Sequence, residues 1–301
     1  MPTPTTSMLL PTLTGSSLTV DAFLKNPTRI TARVAQLTDK QLIAPWLFHT
    51  IGQPVVGGGV LWASLQKADQ FASGDIGPRS PGAEYPQLQA VSPEPQLSKV
   101  EDYGGTQEIP EEAIKRNDLP FLDQCVTQLA NDVAMKLDRR AFETLNTEMT
   151  RIGSELDVLA NAAWDTVQLD GATPTDPISR PTASFAKALM SFELDELGVI
   201  GDTLIVHPEQ AAVLRTVYGS DLTDVLASFG LTMVSNPRAT PGTALVVQAG
   251  ECGVIQFEEP LTTRIIQNEI NRTVTIQVFA VPAFAPNFAR AARRITGTAT
   301  P

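Results

Sequence analysis

Leu122, Cys125, Val126, Leu129, Val133, Leu137, Ala141, Leu145, Met149, Ile152, Leu156 and Leu159 recur at intervals of three and four residues. That is the spacing of one face of an α-helix. Asn117 or Asp118 can cap it, Pro120 falls in the first turn where a missing N–H is tolerated, and Gly153 is the one weak point. The pattern predicts a single amphipathic helix of roughly 35–40 residues, about 50–60 Å long at the usual rise. Immediately before it, Glu108–Asn117 predicts a short helix with Pro110 in its first turn and acids near its positive end. Glu111 with Lys115 and Glu112 with Arg116 are i,i+4 pairs in the favourable order.

After a Thr-, Pro- and Asp-rich loop over Ala162–Pro181, the period alternates between helix and strand. Ser184–Leu197 predicts a helix, Thr203–Val206 a buried strand ended by His207-Pro208, and Glu209–Val217 another helix. Leu231–Ser235, Thr243–Val247, Val254–Phe257 and Leu261–Ile266 predict strands. Arg272–Val281 predicts a further strand, with Val274, Ile276, Val278 and Ala280 sharing a face by alternation.

The first 58 residues have no steady period and carry Pro2, Pro4, Pro11, Pro27, Pro45 and Pro54. They predict a mostly extended arm with one short helix around Arg29–Leu42. Trp46, Leu47 and Phe48 dock that arm either on its own core or on a neighbouring subunit. Gly57-Gly58-Gly59 predicts a hinge, since no Gly-Lys-Ser/Thr follows and GxGxxG is absent. Val60–Ala72 and Gln96–Tyr103 then form the two sides of a long excursion around a Gly/Pro-dense middle. An isolated two-stranded hairpin is marginal in water, so this excursion must lie on something.

Composition narrows the function. With 43% apolar and 18% charged residues in 301, the chain is not disordered. No run of about 18 apolar residues crosses a membrane, and the Thr/Ser/Pro-rich start is not a secretory signal. Cys125 and Cys252 fit neither a disulfide framework nor a metal spacing, which suits a reducing interior. Twenty-two basic against 33 acidic residues give a net charge of −11, the wrong sign for a nucleic-acid grip but reasonable for a container wall that must not stick to its cargo. The charge is uneven: residues 1–60, with Lys25, Arg29, Arg33 and Lys40, carry +2, and residues 101–160 carry −7.

Catalytic chemistry finds no foothold. The two histidines, His49 and His207, lack companion ligands for zinc. His207 has no GxSxG or other nucleophile signature to serve. Glu258-Glu259 reads as a solvated turn rather than a glycosidase couple, and Asn271-Arg272-Thr273 as a chance glycosylation match. The expectation is a protein that is not an enzyme and carries no metal or cofactor.

The order of these features resembles a known family. An arm, an extended loop, the helix IPEEAIKRN, a long helix, a strand ending in VHP, the segment GLTMVSNPRATPGTALVV and a last strand near NRTVTIQVFAV follow one another as in the major capsid proteins of tailed bacteriophages, which have the Hong Kong 97 type fold. The likeness covers about residues 100–295. It implies an α+β chain: an N-terminal arm (1–58), an extended β-hairpin loop (59–100) lying on the adjacent subunit, a peripheral domain with a spine helix (101–160), an axial α/β domain (161–260), and return strands to the peripheral domain with the C-terminus (261–301). It implies self-assembly into hexamers and pentamers of an icosahedral head, in the bacterial host cytoplasm, around double-stranded DNA bound without sequence specificity.

The implied partners are the portal, a separate scaffolding protein (the short arm is unlike the charged helical scaffold segment of some relatives) and, in some heads, a decoration protein. Contact candidates between subunits are Trp46, Phe48, Lys67, Arg79, Glu111, Glu112, Arg116 and Arg290. The arm's basic residues and Arg290, Arg293 and Arg294 face the genome, a neighbour's acidic spine, or solvent. Some relatives join a loop lysine to a neighbour's asparagine; Lys67 and Lys99, with Asn268 or Asn271, are the candidates here. The alternative with the same fold is an encapsulin-like nanocompartment enclosing enzyme cargo; a rival of another class, a soluble hydrolase, would need a pocket with a nucleophile and a base.

Overall fold

The structure is a computed structural model and describes residues 42–72, 74, 76–116 and 119–300. Its main elements, in chain order, are α1 (Ala44–Leu47), β1 (Phe48–Thr50), β2 (Gly59–Ala63), β3 (Pro95–Lys99), β4 (Tyr103–Pro110), α2 (Glu111–Lys115) and α3 (Leu119–Ile152). There follow β5 (Asp157–Leu159), α4 (Pro181–Asp195), β6 (Thr203–Val206), α5 (Pro208–Tyr218), α6 (Leu222–Ser228), β7 (Thr232–Ser235) and β8 (Thr243–Val247). The chain closes with β9 (Gly253–Asn268), β10 (Thr273–Ala285) and β11 (Ala292–Thr296).

Two sheets and a ribbon organise them. The first sheet has the order β1-β9-β10-β4, the second β5-β11-β8-β6-β7, and β2-β3 is a two-stranded ribbon. In the first sheet β10 is antiparallel to both neighbours, pairing Thr273 with Pro110 and Ala280 with Tyr103 on one side, Thr273 with Asn268 on the other. Val274, Ile276, Val278 and Ala280 are buried, as their alternation predicts, beneath the spine helix α3. On α3 the buried side chains Cys125, Val126, Leu129, Val133, Leu137, Ala141, Leu145 and Met149 form the predicted stripe. Burying one such Leu or Val stabilises by about 1.5–3 kcal/mol, so helix and sheet are each other's support. At the start of β9, Gly253 faces Phe48: a Cβ there would meet the Phe48 ring at 2.7 Å and the Ala285 carbonyl oxygen.

In the second sheet β6 is buried on both faces, pairing antiparallel with β8 and parallel with β7. The α5–α6 segment is the crossover that a parallel pair requires.

The long helix is shorter than its period predicts. It ends at Ile152 because Gly153 takes φ +115°, a conformation that disfavours any side chain, while its N–H donates to the Met149 carbonyl at 3.0 Å. Leu156 therefore returns to the core and Leu159 points out of β5. The predicted helix over Glu108–Asn117 starts at Glu111, since Glu108–Pro110 still pair with β10. Val254–Phe257 and Leu261–Ile266 are one strand, β9, with register shifts opposite Val281 and Pro282, where β10 lacks an N–H. β5 lies within 101–160 and β11 within 261–301, yet both belong to the five-stranded sheet. The arm before Leu42, with its predicted short helix and four basic residues, lies outside the described residues.

Candidate assembly surfaces

The 59–100 excursion leaves the body between two clamps. On the outgoing side, the Leu65 N–H donates to the Asn287 carbonyl at 3.0 Å, and Lys67 Nζ donates to the Leu194 carbonyl at 2.7 Å beside the Asp195 carboxylate at 3.7 Å. A cation at the C-terminal end of α4 meets that helix's last carbonyls and its negative end. On the returning side, the Glu101 N–H donates to Pro282, and the Glu101 carboxylate takes Arg140 of the spine helix at 2.5 Å and the Tyr103 hydroxyl. Burial, reinforced by that carboxylate, pushes the Tyr103 phenol up to about 12. Trp62 Nε1 donates to Ser98 Oγ at 2.8 Å and staples the two strands.

The excursion also carries exposed apolar groups. Leu61, Phe71, Ile76, Tyr85 and Leu97 are all at least half exposed, Ile76 at 80% and Tyr85 at 72%. Arg79 lies over the Tyr85 ring, 4.7 Å from its centroid. Large apolar side chains left exposed together on one segment are the mark of a contact surface.

The other contact candidates divide. Trp46 is partly exposed, and Glu112 and Arg116 are exposed, without the ion pair that their spacing predicts among the described residues. Glu111 holds Lys115 at 3.2 Å and Arg272 at 3.3 Å, and the Lys115 ammonium foremost keeps its carboxyl below the usual range.

Phe48, Lys67, Asn268 and the arginine cluster each make contacts within the subunit. Phe48 is fully buried, edge-on to Phe284 with ring centroids 5.9 Å apart, so it docks the chain on its own core. Lys67 is engaged by its own α4. Asn268 Oδ1 builds the β9–β10 turn by accepting the Ile270 and Asn271 N–H groups at 3.2 and 3.3 Å. The supposed basic patch is an internal network: Arg293 is 1% and Arg290 4% exposed. Arg293 donates to Asp195 at 2.5 Å and to Ser191 Oγ at 2.6 Å, and stacks on Phe192. Arg290 donates to Asp195 at 3.0 Å and Glu155 at 2.8 Å, and Arg294 grips Asp157 with two bonds. Burial works against the Arg293 charge, which Asp195 sustains.

One site was missed. Asp138 is fully buried on the spine helix; one of its oxygens accepts the Ile43 and Ala44 N–H groups at 2.9 and 3.2 Å, the other Arg238 at 2.9 Å. It thus ties the chain's entry, the spine and the β7–β8 loop together. Desolvation raises its carboxyl's pKa, and the two N–H donors and Arg238 act in the opposite direction. The signal was in the sequence: Ala134, Asp138, Ala141 and Leu145 lie on one helical face, so an acid stands in the apolar stripe.

Among the described residues no three His, Cys, Asp or Glu side chains gather as for a metal, and no helix is long and apolar enough to cross a membrane. His207 Nδ1 caps α5 by accepting the Glu209 N–H at 3.4 Å. Burial pushes up both cysteine thiols.

Comparison with known proteins places this mixed α+β chain in a family. The model of a phage capsid protein family matches residues 93–295. The chain belongs to the phage capsid protein family. No curated protein matches it by sequence. Among solved structures, a phage-related protein from Bordetella bronchiseptica RB50 is similar, with a TM-score of 0.64 at 13% identity over 91% of this chain and 97% of that one. The capsid of cyanophage P-SCSP1u gives 0.59 at 12% identity over 84% and 87%, and a virus-like particle from Pyrococcus furiosus 0.59 at 10% over 89% and 98%. At such identities the likeness is one of fold. Family membership places the chain among virion components that build a shell from many copies.

Proposed function

We propose that this chain is the major capsid protein of a tailed bacteriophage, assembling through hexamers and pentamers into an icosahedral head around double-stranded DNA. The fold is read as the Hong Kong 97 type, with α3 and the first sheet as peripheral domain, the five-stranded sheet as axial domain, and residues 59–100 as a loop reaching the adjacent subunit. The carrying observation is that loop: both roots are clamped to the body while its apolar side chains face away from it. Trp46, Arg79, Glu112 and Arg116 are the contacts best placed to meet a neighbour. Shell stability then comes from many modest interfaces acting together. Portal, scaffolding and decoration proteins are the expected partners, in the host cytoplasm.

Electron microscopy of the pelleted product, expressed alone and with its neighbouring genes, tests this. Closed icosahedral particles that fill with DNA alongside portal and packaging proteins support the reading. Smaller closed particles enclosing an enzyme favour the nanocompartment, a reading kept by the likeness to the Pyrococcus furiosus particle. A monodisperse monomer or dimer in every co-expression overturns both.

A further inference from the structure

β4 closes one side of the first sheet, with β10 as its only strand neighbour among the described residues. Just beyond its two ends, the Glu101 and Glu111 N–H groups donate to the carbonyls of Pro282 and Arg272 at 3.1 and 3.0 Å. The register between them is unbroken, so the odd-numbered residues turn their backbone groups to β10, and Gly104, Thr106 and Glu108 turn theirs outward. Those outward N–H groups have no backbone acceptor among the described residues. An open edge of this kind is a template for a further strand.

Two notches meet at this edge, one on each face of the sheet. Gly105 faces the spine helix and, with Leu129, Val133 and Met135, lines a notch of about 360 Å³. Gly104 faces the other way and, with Thr106, Gln277 and Phe279, lines a second of about 290 Å³. A Cβ on Gly105 would lie 3.2 Å from Leu129 and narrow the first notch. Successive side chains of a strand point to opposite faces, so adjacent residues of an added strand would enter one notch each. The charge along the edge is mostly negative. Asp102 and Asp132 beside the notches, and Glu108 further along β4, are exposed and have no hydrogen-bond or ion-pair partner among the described residues; Lys136 is the one base lining the first notch.

We propose that the β4 edge takes an extended segment of a separate partner polypeptide as an added strand. An apolar side chain of that segment enters the notch beside Leu129, and the lysine or arginine next to it enters the notch that Asp102 and Glu108 flank. Backbone bonds to Gly104, Thr106 and Glu108 supply the grip, and the notches and charges select the sequence. A second copy of this chain fits less well, since it brings a net charge of −11 to the same acids.

A fluorescent, end-capped peptide of alternating lysine and valine, added to the full chain, tests this by anisotropy. It should bind, and a glutamate–valine peptide should bind at least about tenfold more weakly. Thr106→Pro removes an outward N–H without touching the β10 ladder. It should leave thermal melting unchanged and weaken the lysine–valine peptide about tenfold. Asp102→Asn should weaken it about threefold, the worth of an exposed ion pair. In the parent, amide exchange at Gly104 and Thr106 should slow when the peptide is added, a reading that holds even where the proline variant unfolds. No binding by the parent, equal binding by folded Thr106→Pro, or unchanged exchange at the edge overturns the proposal. So does edge exchange that slows when the chain alone is concentrated, since a second copy would then be the occupant.

Discussion

The spine helix and the 59–100 excursion are of similar length, and they treat apolar residues in opposite ways. On α3 the stripe from Cys125 to Met149 is buried against the first sheet, while in the excursion Leu61, Ile76, Tyr85 and Leu97 point into solvent. The body completes itself. The excursion has rigid roots and unfinished business, since a two-stranded ribbon alone buries too little to be stable. The difference separates two kinds of residue: those whose loss unfolds the subunit, and those whose loss leaves it folded but alone.

The sharpest way to break the body is at its buried acid. Asp138→Ala leaves two N–H groups and the half of Arg238 that faced it without a partner, and should cost about 3–5 kcal/mol of unfolding free energy, measured by chemical denaturation. Asp138→Asn keeps an oxygen for the two N–H groups and should cost less. It also isolates a pH effect. Desolvation raises this carboxyl in the folded state, so the folded protein holds the proton more tightly than the unfolded chain. That contribution is full below the unfolded pKa and is lost as pH rises through the folded one. The stability advantage of the parent over Asp138→Asn should therefore shrink as pH rises across that acidic window; a growing advantage would reverse the assignment.

Gly253→Ala comes next. Its Cβ would press on the Phe48 ring and the Ala285 carbonyl, both packed inside the sheet, and overpacking of this kind costs typically 1–3 kcal/mol. A drop in melting temperature checks it. Paired changes at the excursion tip, Ile76→Ser with Tyr85→Ser, should fall on the other side of the comparison. Being exposed, they should move subunit stability by no more than about 0.5 kcal/mol, yet abolish or sharply reduce particle formation in sedimentation. Equal loss of both would mean that the excursion belongs to the body.

How far the sequence discloses this division depends on the range over which each signal acts. Helix period, strand alternation and the glycine hinge are local, so α3, α4, β6, β8 and β10 were legible nearly to their ends. Leu156 and Leu159 continued the helical spacing by coincidence, and one glycine at φ +115° decided against it. The arginine network was illegible for the opposite reason. Arg290, Arg293 and Arg294 crowd within five residues and read as a patch, but their partners Asp195, Glu155 and Asp157 lie 95 to 137 residues away. Burial of a cation is decided by such distant partners, which no window of sequence contains. Glu112 and Arg116 err the other way: the spacing allows a pair, and two exposed side chains gain too little from one to hold it.

The smallest expected effect lies at the seam between the two regions. Lys67 belongs to the excursion by sequence and to the body by contact, since it donates to the Leu194 carbonyl and stands beside Asp195, the acid that also holds Arg290 and Arg293. Its ammonium is half exposed, so Lys67→Ala should cost well under about 1 kcal/mol. Amide exchange should nevertheless report it locally: the Leu65 N–H, bonded to Asn287, should exchange faster, while amides of β6 and β8 stay as protected as before. If Leu65 exchange is unchanged, the outgoing root is held by its backbone bond and buried Ser64 alone, and Lys67 is then free in energy, if not in geometry, to serve a neighbour. If protection falls across the five-stranded sheet as well, the seam is part of the core, and the excursion's direction is a property of the whole subunit rather than of its hinge.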